Sequence, residues 1–124
     1  MGYLLVFVGS GLGGIARYGI GMAFARSFST GFPMATLVIN IVGSTLMGLV
    51  VLLFLKLNLA NQDARLFLTT GVLGGFTTFS AFSLDAVTLW ESGDHVGAAG
   101  YVFASVILSV AGLVAAMWLV RRFI

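Results

Sequence analysis

The sequence predicts an all-α membrane protein of four spanning helices, the third of them broken near its middle. Three observations carry that expectation. Of 124 residues, 60% are hydrophobic and only 8% are charged, against about 25% charged in soluble domains. At roughly 20 apolar residues per spanning helix, the length holds four spans and short loops as one membrane domain, 1–124, with no room for a separate soluble domain. The third observation is the string GVLGGFTTFSAFSLD at 71–85, inside an apolar segment from about Leu66 to Trp90. There Gly71, Gly74 and Gly75 precede Thr77, Thr78, Phe79, Ser80, Phe82 and Ser83. Each glycine lowers helix propensity by roughly 1 kcal/mol relative to alanine, and two β-branched threonines follow. The pattern predicts a break at Gly74–Thr78. Such backbone is tolerated at membrane depth only where protein buries it or where it lines a wet cavity, and transporters use broken helices to bind ions.

Composition also excludes several classes. A formal net charge of +2 calls for no nucleic-acid partner, and no cysteine means no disulfide or thiolate metal site. The single histidine, His95, falls in an expected loop and cannot by itself build a zinc-type site.

Span one is expected at about 3–25. Residues 1–16 hold no Lys or Arg, whereas a secretory signal normally has a basic leading region, so the stretch reads as a retained span. Gly9 and Gly13 form a small-xxx-small pair that lets helices approach closely in lipid. Arg17 lies inside the apolar run, either snorkelling to the interface or facing a wet vestibule or anion path. In the next link Ser29 or Thr30 can cap a helix, with Pro33 in its first turn.

Span two, about 34–55, places Thr36, Asn40, Ser44 and Gly48 four residues apart on one face. That stripe is either helix–helix glue, with Asn40 bonding a neighbouring backbone, or a pore lining. Asn61 is the expected cap of span three, about 66–90, with Asp63 in the first turn, where a negative charge suits the helix dipole. Asp85, in the second half of this span, is either solvated near the surface or a carboxylate at the mouth of a path. Gly93 suits a helix C-cap. Span four, about 96–120, aligns Tyr101, Ser105 and Ser109 on one face, continued by Gly112 and Ala116, as packing contacts or as a ladder of hydrogen-bond donors.

Four spans put both termini on one side, with Lys56, Arg65, Arg121 and Arg122, while Arg26 stands on the other. The positive-inside rule makes the termini cytoplasmic. The polar features offer donors rather than acids: spans one, two and four contain no Asp or Glu. A cation or proton path usually shows intramembrane carboxylates, so this set suits a small, strongly hydrated anion. The ring edges of Phe79 and Phe82 carry partial positive charge and can face such an anion. Four helices are too few to enclose a water-filled path, so the close-packing glycines point to an oligomer.

The whole chain resembles the Fluc (CrcB) family of fluoride channels. The resemblance rests on Gly11…Gly14…Arg17, Thr36-x-x-x-Asn40-x-x-Gly43, GGFTTFSAFS at 74–83, and Tyr101-x-x-x-Ser105-x-x-x-Ser109. It implies an antiparallel homodimer with subunits in opposite orientations, two fluoride pathways, and a central sodium ion on the dimer axis. The main-chain carbonyls of Gly74 and Thr77 from both subunits would hold that ion. Phe79 and Phe82 would contact fluoride, Asn40 would be the pore-facing amide, Tyr101, Ser105 and Ser109 the polar track, and Thr78 and Ser80 would lie beside the path, with Thr36 and Arg17 along it. Many relatives carry Glu where this chain has Asp85. The resemblance further implies a multi-pass protein of a prokaryotic plasma (inner) membrane, a channel and not an enzyme. One rival is a small dual-topology multidrug exporter, which depends on an embedded carboxylate in span one, where this chain has Arg17. Another is a membrane assembly subunit that conducts nothing.

Overall fold

The computed structural model describes residues 1–28 and 30–124; Ser29, one of the two expected caps for span two, lies outside them. Every regular element among the described residues is helical. Helix α1 is Gly2–Ser27 and α2 is Met34–Lys56; the third span, Gln62–Glu91, is composite, and α6 is His95–Phe123. All four spans are long and apolar enough to cross a bilayer, whose hydrocarbon core of about 30 Å needs about 20 helical residues.

The third span consists of α3 (Gln62–Leu66), a π-helical stretch (Phe67–Leu73), α4 (Gly74–Phe76) and α5 (Phe79–Glu91). Its break is narrower than the glycines suggest. Gly74 keeps helical dihedrals (φ −63°, ψ −38°). Only Thr77 (ψ 159°) and Thr78 (φ −152°, ψ 122°) are extended, the conformation that β-branched residues favour. The glycines serve another purpose. Gly71 and Gly75 sit four apart and meet Gly9 and Ser10 of α1, while Gly13 meets the backbone of Val72 and Phe76, so two small-xxx-small faces pack backbone to backbone. A Cβ on Gly9 would lie 2.8 Å from the Gly71 Cα, one on Gly13 would overlap the Val72 carbonyl, and one on Gly75 would overlap the Ser10 carbonyl. Only Gly9 and Gly13 of α1 are buried, and Tyr3, Phe7, Ile15 and Tyr18 project outward.

Helix α2 starts differently from the expectation. Pro33 itself is the N-cap, and no side chain among the described residues caps the helix, so Thr30 does not act there. The link is instead pinned by Phe32, whose ring stands edge-on to Tyr101 at 5.6 Å and whose carbonyl accepts from the Met34 N–H. The later caps follow local chemistry. Asn61 Oδ1 accepts from the Ala64 N–H at 2.9 Å, and Asp94 Oδ1 accepts from the Gly97 N–H at 2.8 Å. Gly93 takes the left-handed turn before α6 (φ 92°).

Helices α2 and α6 run in the same direction and touch closely: a Cβ on Gly48 would lie 2.5 Å from the Leu113 carbonyl, and one on Gly112 would overlap the Thr45 hydroxyl. At one end, Leu37, Phe82, Leu89, Ala98 and Tyr101 form the core among α2, α5 and α6.

The α1 seam should be intolerant of a single methyl group. Gly13→Ala should lower the thermal midpoint in detergent and the monodisperse fraction on size exclusion, at a cost of about 1–3 kcal/mol from overpacking. Gly11→Ala, whose Cβ would meet nothing within 4 Å, should change neither.

Candidate anion site at the broken helix

Two extended residues within a spanning helix interrupt its hydrogen-bond ladder, and each freed group needs a partner. The Thr77 N–H and Oγ1 both donate to the Leu73 carbonyl, each at 3.0 Å. Thr78 is held by one side chain from α2. Asn40 Nδ2 donates to the Thr78 carbonyl at 2.9 Å, and the Thr78 N–H donates to Asn40 Oδ1 at 2.9 Å. The amide therefore stands in for a neighbouring strand. Thr78 Oγ1 then caps α5 by accepting from the Ala81 N–H at 3.1 Å. From α1, Arg17 Nε donates to the Gly75 carbonyl at 3.3 Å. The carbonyls of Gly74, Phe76 and Thr77 meet no donor among the described residues.

Beside the break lies a cleft of about 380 Å³ between α2, α5 and α6. Asn40, Ser44, Thr77, Thr78, Phe79, Phe82, Ser105 and Ser109 line it, together with apolar side chains of α2 and α6 such as Met47, Val106 and Leu113. Ser105 Oγ and Ser109 Oγ are buried and have no hydrogen-bond partner among the described residues. A buried hydroxyl without a partner is uncommon and costly, and two of them on one cleft wall are suited to a guest that accepts hydrogen bonds. Phe79 and Phe82 close the cleft near the break with ring centroids 5.4 Å apart and planes at 53°. Phe82 is 9% exposed and Phe79 is 78% exposed, so one ring belongs to the core and the other forms a bare rim.

The structure thus brings Asn40, Thr77, Thr78, Phe79, Phe82, Ser105 and Ser109 together at one cleft. Arg17, Thr36, Ser80 and Tyr101 are not in its wall. Arg17 approaches the break from α1. Ser80 is exposed at the rim, 3.3 Å from Thr78 Oγ1. Tyr101 is fully buried, its ring 5.3 Å from that of Phe82, and its hydroxyl donates to Asp85 Oδ2 at 3.1 Å. Thr36 is half-buried and neighbours the Tyr101 hydroxyl. Gly74 is exposed. Asn40 combines both roles offered by its stripe, since it bonds a neighbouring backbone and also lines the cleft. Ser83, grouped with the phenylalanines in the sequence, donates to the Phe79 carbonyl of its own helix at 3.0 Å.

Two interactions were not foreseen. The Arg17–Gly75 contact leaves no local signal, because it joins residues 58 apart. The Asp85–Tyr101 pair does leave one: each residue lies eight positions from Gly93, so a hairpin turning at that glycine brings them level.

The sequence matches the family described as "CrcB-like protein, Camphor Resistance (CrcB)" over residues 4–117. It is similar to "Fluoride-specific ion channel FluC 2" of Nitrobacter hamburgensis, 52% identical over 122 residues that cover 98% of each chain. It is 54% identical over 125 residues to "Fluoride-specific ion channel FluC" of Granulibacter bethesdensis, covering 100% of this chain and 98% of that one. The protein of the same name from Rhodopseudomonas palustris is 50% identical over 121 residues, covering 98% of each. With the family matched from the first span into the last, and relatives alike end to end, the chain belongs to the CrcB family.

Proposed function

We propose that this chain is a fluoride-selective channel that lets fluoride leave the cytoplasm down its electrochemical gradient. The observation that carries the reading is the pair of buried, unpartnered hydroxyls of Ser105 and Ser109 in a cleft ending at two phenylalanine rings. Fluoride holds its water tightly, so a selective path must replace that shell with close donors. Two hydroxyls can hand the ion toward the rings, where the positive edges of Phe79 and Phe82 succeed them. No acidic residue lines the cleft to repel an anion. Fluoride enters a cell in acid surroundings as neutral HF and is trapped on dissociation, so passive exit relieves the toxicity and no reaction is catalysed.

The working form is an antiparallel homodimer with two pathways in the prokaryotic plasma membrane. Supporting it, Gly74 and the Phe79 ring are bare, and the carbonyls of Gly74, Phe76 and Thr77 meet no donor among the described residues. Leaving such groups in hydrocarbon costs several kcal/mol each, and a second copy can cover them. The carbonyls of Gly74 and Thr77 also fit a sodium ion, because hard cations take oxygen ligands. No cluster of His, Asp or Glu among the described residues offers an alternative metal site. Bound there, sodium would supply an electrostatic tie between two broken helices.

Liposomes loaded with fluoride should empty through the purified protein at least about tenfold faster than those loaded with chloride, a discrimination of about 1.4 kcal/mol, read with ion-selective electrodes. Equal rates would defeat the selectivity claim, and export of quaternary ammonium dyes instead would favour a multidrug exporter. Replacing both Phe79 and Phe82 by Ile should bring fluoride flux to background while size exclusion still reports a dimer; unchanged flux would reduce the rings to packing. Exchanging sodium for a large impermeant cation should lower both flux and thermal midpoint, and no change in either would remove the ion from the structure.

A further inference from the structure

Asp85 is the one acidic residue placed away from a helix end: Asp63, Glu91 and Asp94 all lie at the boundaries of the third and fourth spans. It is half-buried and does not line the cleft. Its one hydrogen-bond partner among the described residues is the Tyr101 hydroxyl. Tyr101 in turn is the most completely buried large side chain, at 0% exposure. Its ring is the middle of an aromatic train. Phe32 stands edge-on to it at 5.6 Å, Phe82 lies against it at 5.3 Å with planes at 37°, and Phe79 continues the train from Phe82 at 5.4 Å. The carboxylate thus holds the middle of a train that ends, through Phe82 and Phe79, at the cleft rim.

The same bond also sets α6 against α5. Asp85 follows Phe82 by three residues on α5, so both project from one face of that helix. Ser105 and Ser109 follow Tyr101 by four and eight residues on α6, one and two turns along the same face. A rotation of α6 that broke the Tyr101–Asp85 bond would swing both hydroxyls out of the cleft wall. Close contact with α2 at Gly48 and Gly112 holds α6 from one side, and the Tyr101–Asp85 bond, the one side-chain hydrogen bond between α5 and α6 among the described residues, fixes its rotation from the other.

We propose that Asp85 is a positioning residue for the anion path, acting through Tyr101 to aim the Phe82 ring and the Ser105–Ser109 face, and not a carrier of the ion. What the group must supply is an acceptor for the Tyr101 hydroxyl, not a charge. The proposal rests on the fluoride-channel reading for its flux test, but its structural half can be read without it.

The experiment compares wild type, Asp85→Asn, Asp85→Ala, Tyr101→Phe and Asp85→Ala/Tyr101→Phe. Each is reconstituted for fluoride and chloride efflux, and each carries para-fluorophenylalanine at position 82 for fluorine NMR. Asparagine keeps an acceptor oxygen, so Asp85→Asn should hold the fluoride-to-chloride ratio within about twofold of wild type and leave the resonance in place. Asp85→Ala and Tyr101→Phe should each lower the ratio about tenfold or more, the order that a buried polar group left without its partner can supply. Both should shift the resonance alike, and the double variant should be no worse than the worse single one. Damage by Asp85→Asn equal to that of Asp85→Ala would overturn the proposal in favour of a charge that meets the ion. An unchanged ratio and resonance in Tyr101→Phe would overturn it as well. If Asp85→Ala fails to fold, the comparison of Asp85→Asn with Tyr101→Phe decides alone. If wild type passes no fluoride, the channel reading fails while the fluorine resonance still decides the coupling: a shift confined to the variants that lose the bond supports it, and identical spectra overturn it.

Discussion

A peptide group in hydrocarbon has no water to fall back on, and this constraint organises the molecule around Thr77 and Thr78. Breaking a helix in mid-membrane frees donors and acceptors whose isolation costs several kcal/mol apiece. The chain answers with groups from two other helices and from the break itself. Asn40 on α2 takes both backbone groups of Thr78, Arg17 on α1 takes the Gly75 carbonyl, and Thr77 turns its own hydroxyl back on Leu73. Asn40 is then not free to move without unbonding the break, so one residue fixes both the irregular backbone and the wall of the cleft. Gly43, one turn from Asn40, is where α2 meets the Thr77 methyl so closely that a Cβ would overlap it. Close approach of α2 is thus a precondition of the amide clamp.

The gross architecture was legible because it follows from composition and hydropathy, which read the same whatever the tertiary contacts. Four spans, a discontinuous third helix, and the cap at Asn61 each depend on residues within a few positions of one another. The exact place of the break was less legible. Glycine is a poor helix former in water, but in lipid its main value is to let helices touch, and Gly71 and Gly75 are used for that purpose while remaining helical. The bend falls on the threonines instead. Thr30 failed as a cap because Phe32 is drawn into the core beside Tyr101, a tertiary pull that a local capping rule does not contain.

The candidate site divides in the same way. The row Tyr101, Ser105, Ser109 was visible as a period of four residues, yet the structure separates its members. Ser105 and Ser109 keep unpartnered hydroxyls at the cleft, whereas the Tyr101 hydroxyl is committed to Asp85. Periodicity identifies a shared face but not what each group meets there, and the partner lies across a helical hairpin. Likewise Phe79 and Phe82, three residues apart, look equivalent in sequence, but one is buried and the other bare. That asymmetry comes from packing: Phe82 meets the α6 ring of Tyr101, and nothing among the described residues covers the outer side of Phe79.

A path that conducts must bind its ion firmly enough to strip water and weakly enough to let go. A full positive charge in contact is a poor means to that end. At 4 Å and an effective dielectric constant of 20, unit charges attract by about 4 kcal/mol, a factor of roughly a thousand in occupancy. A single hydroxyl contributes about 0.5–1.5 kcal/mol net, and a ring edge is of similar order. Several weak donors in series can together replace a hydration shell, while no single one holds the ion. The placement of Arg17, the one cation away from the ends of its span, agrees with that logic. Arg17 spends a donor on the Gly75 carbonyl and is not in the cleft wall, so its charge can favour anions in the neighbourhood without contacting one. Asp85, the one acid away from a helix end, is likewise kept out of the wall, bonded to Tyr101. Both full charges thus bond to the frame, and in the proposed path the neutral Ser105, Ser109, Asn40, Phe79 and Phe82 are the groups left for the ion.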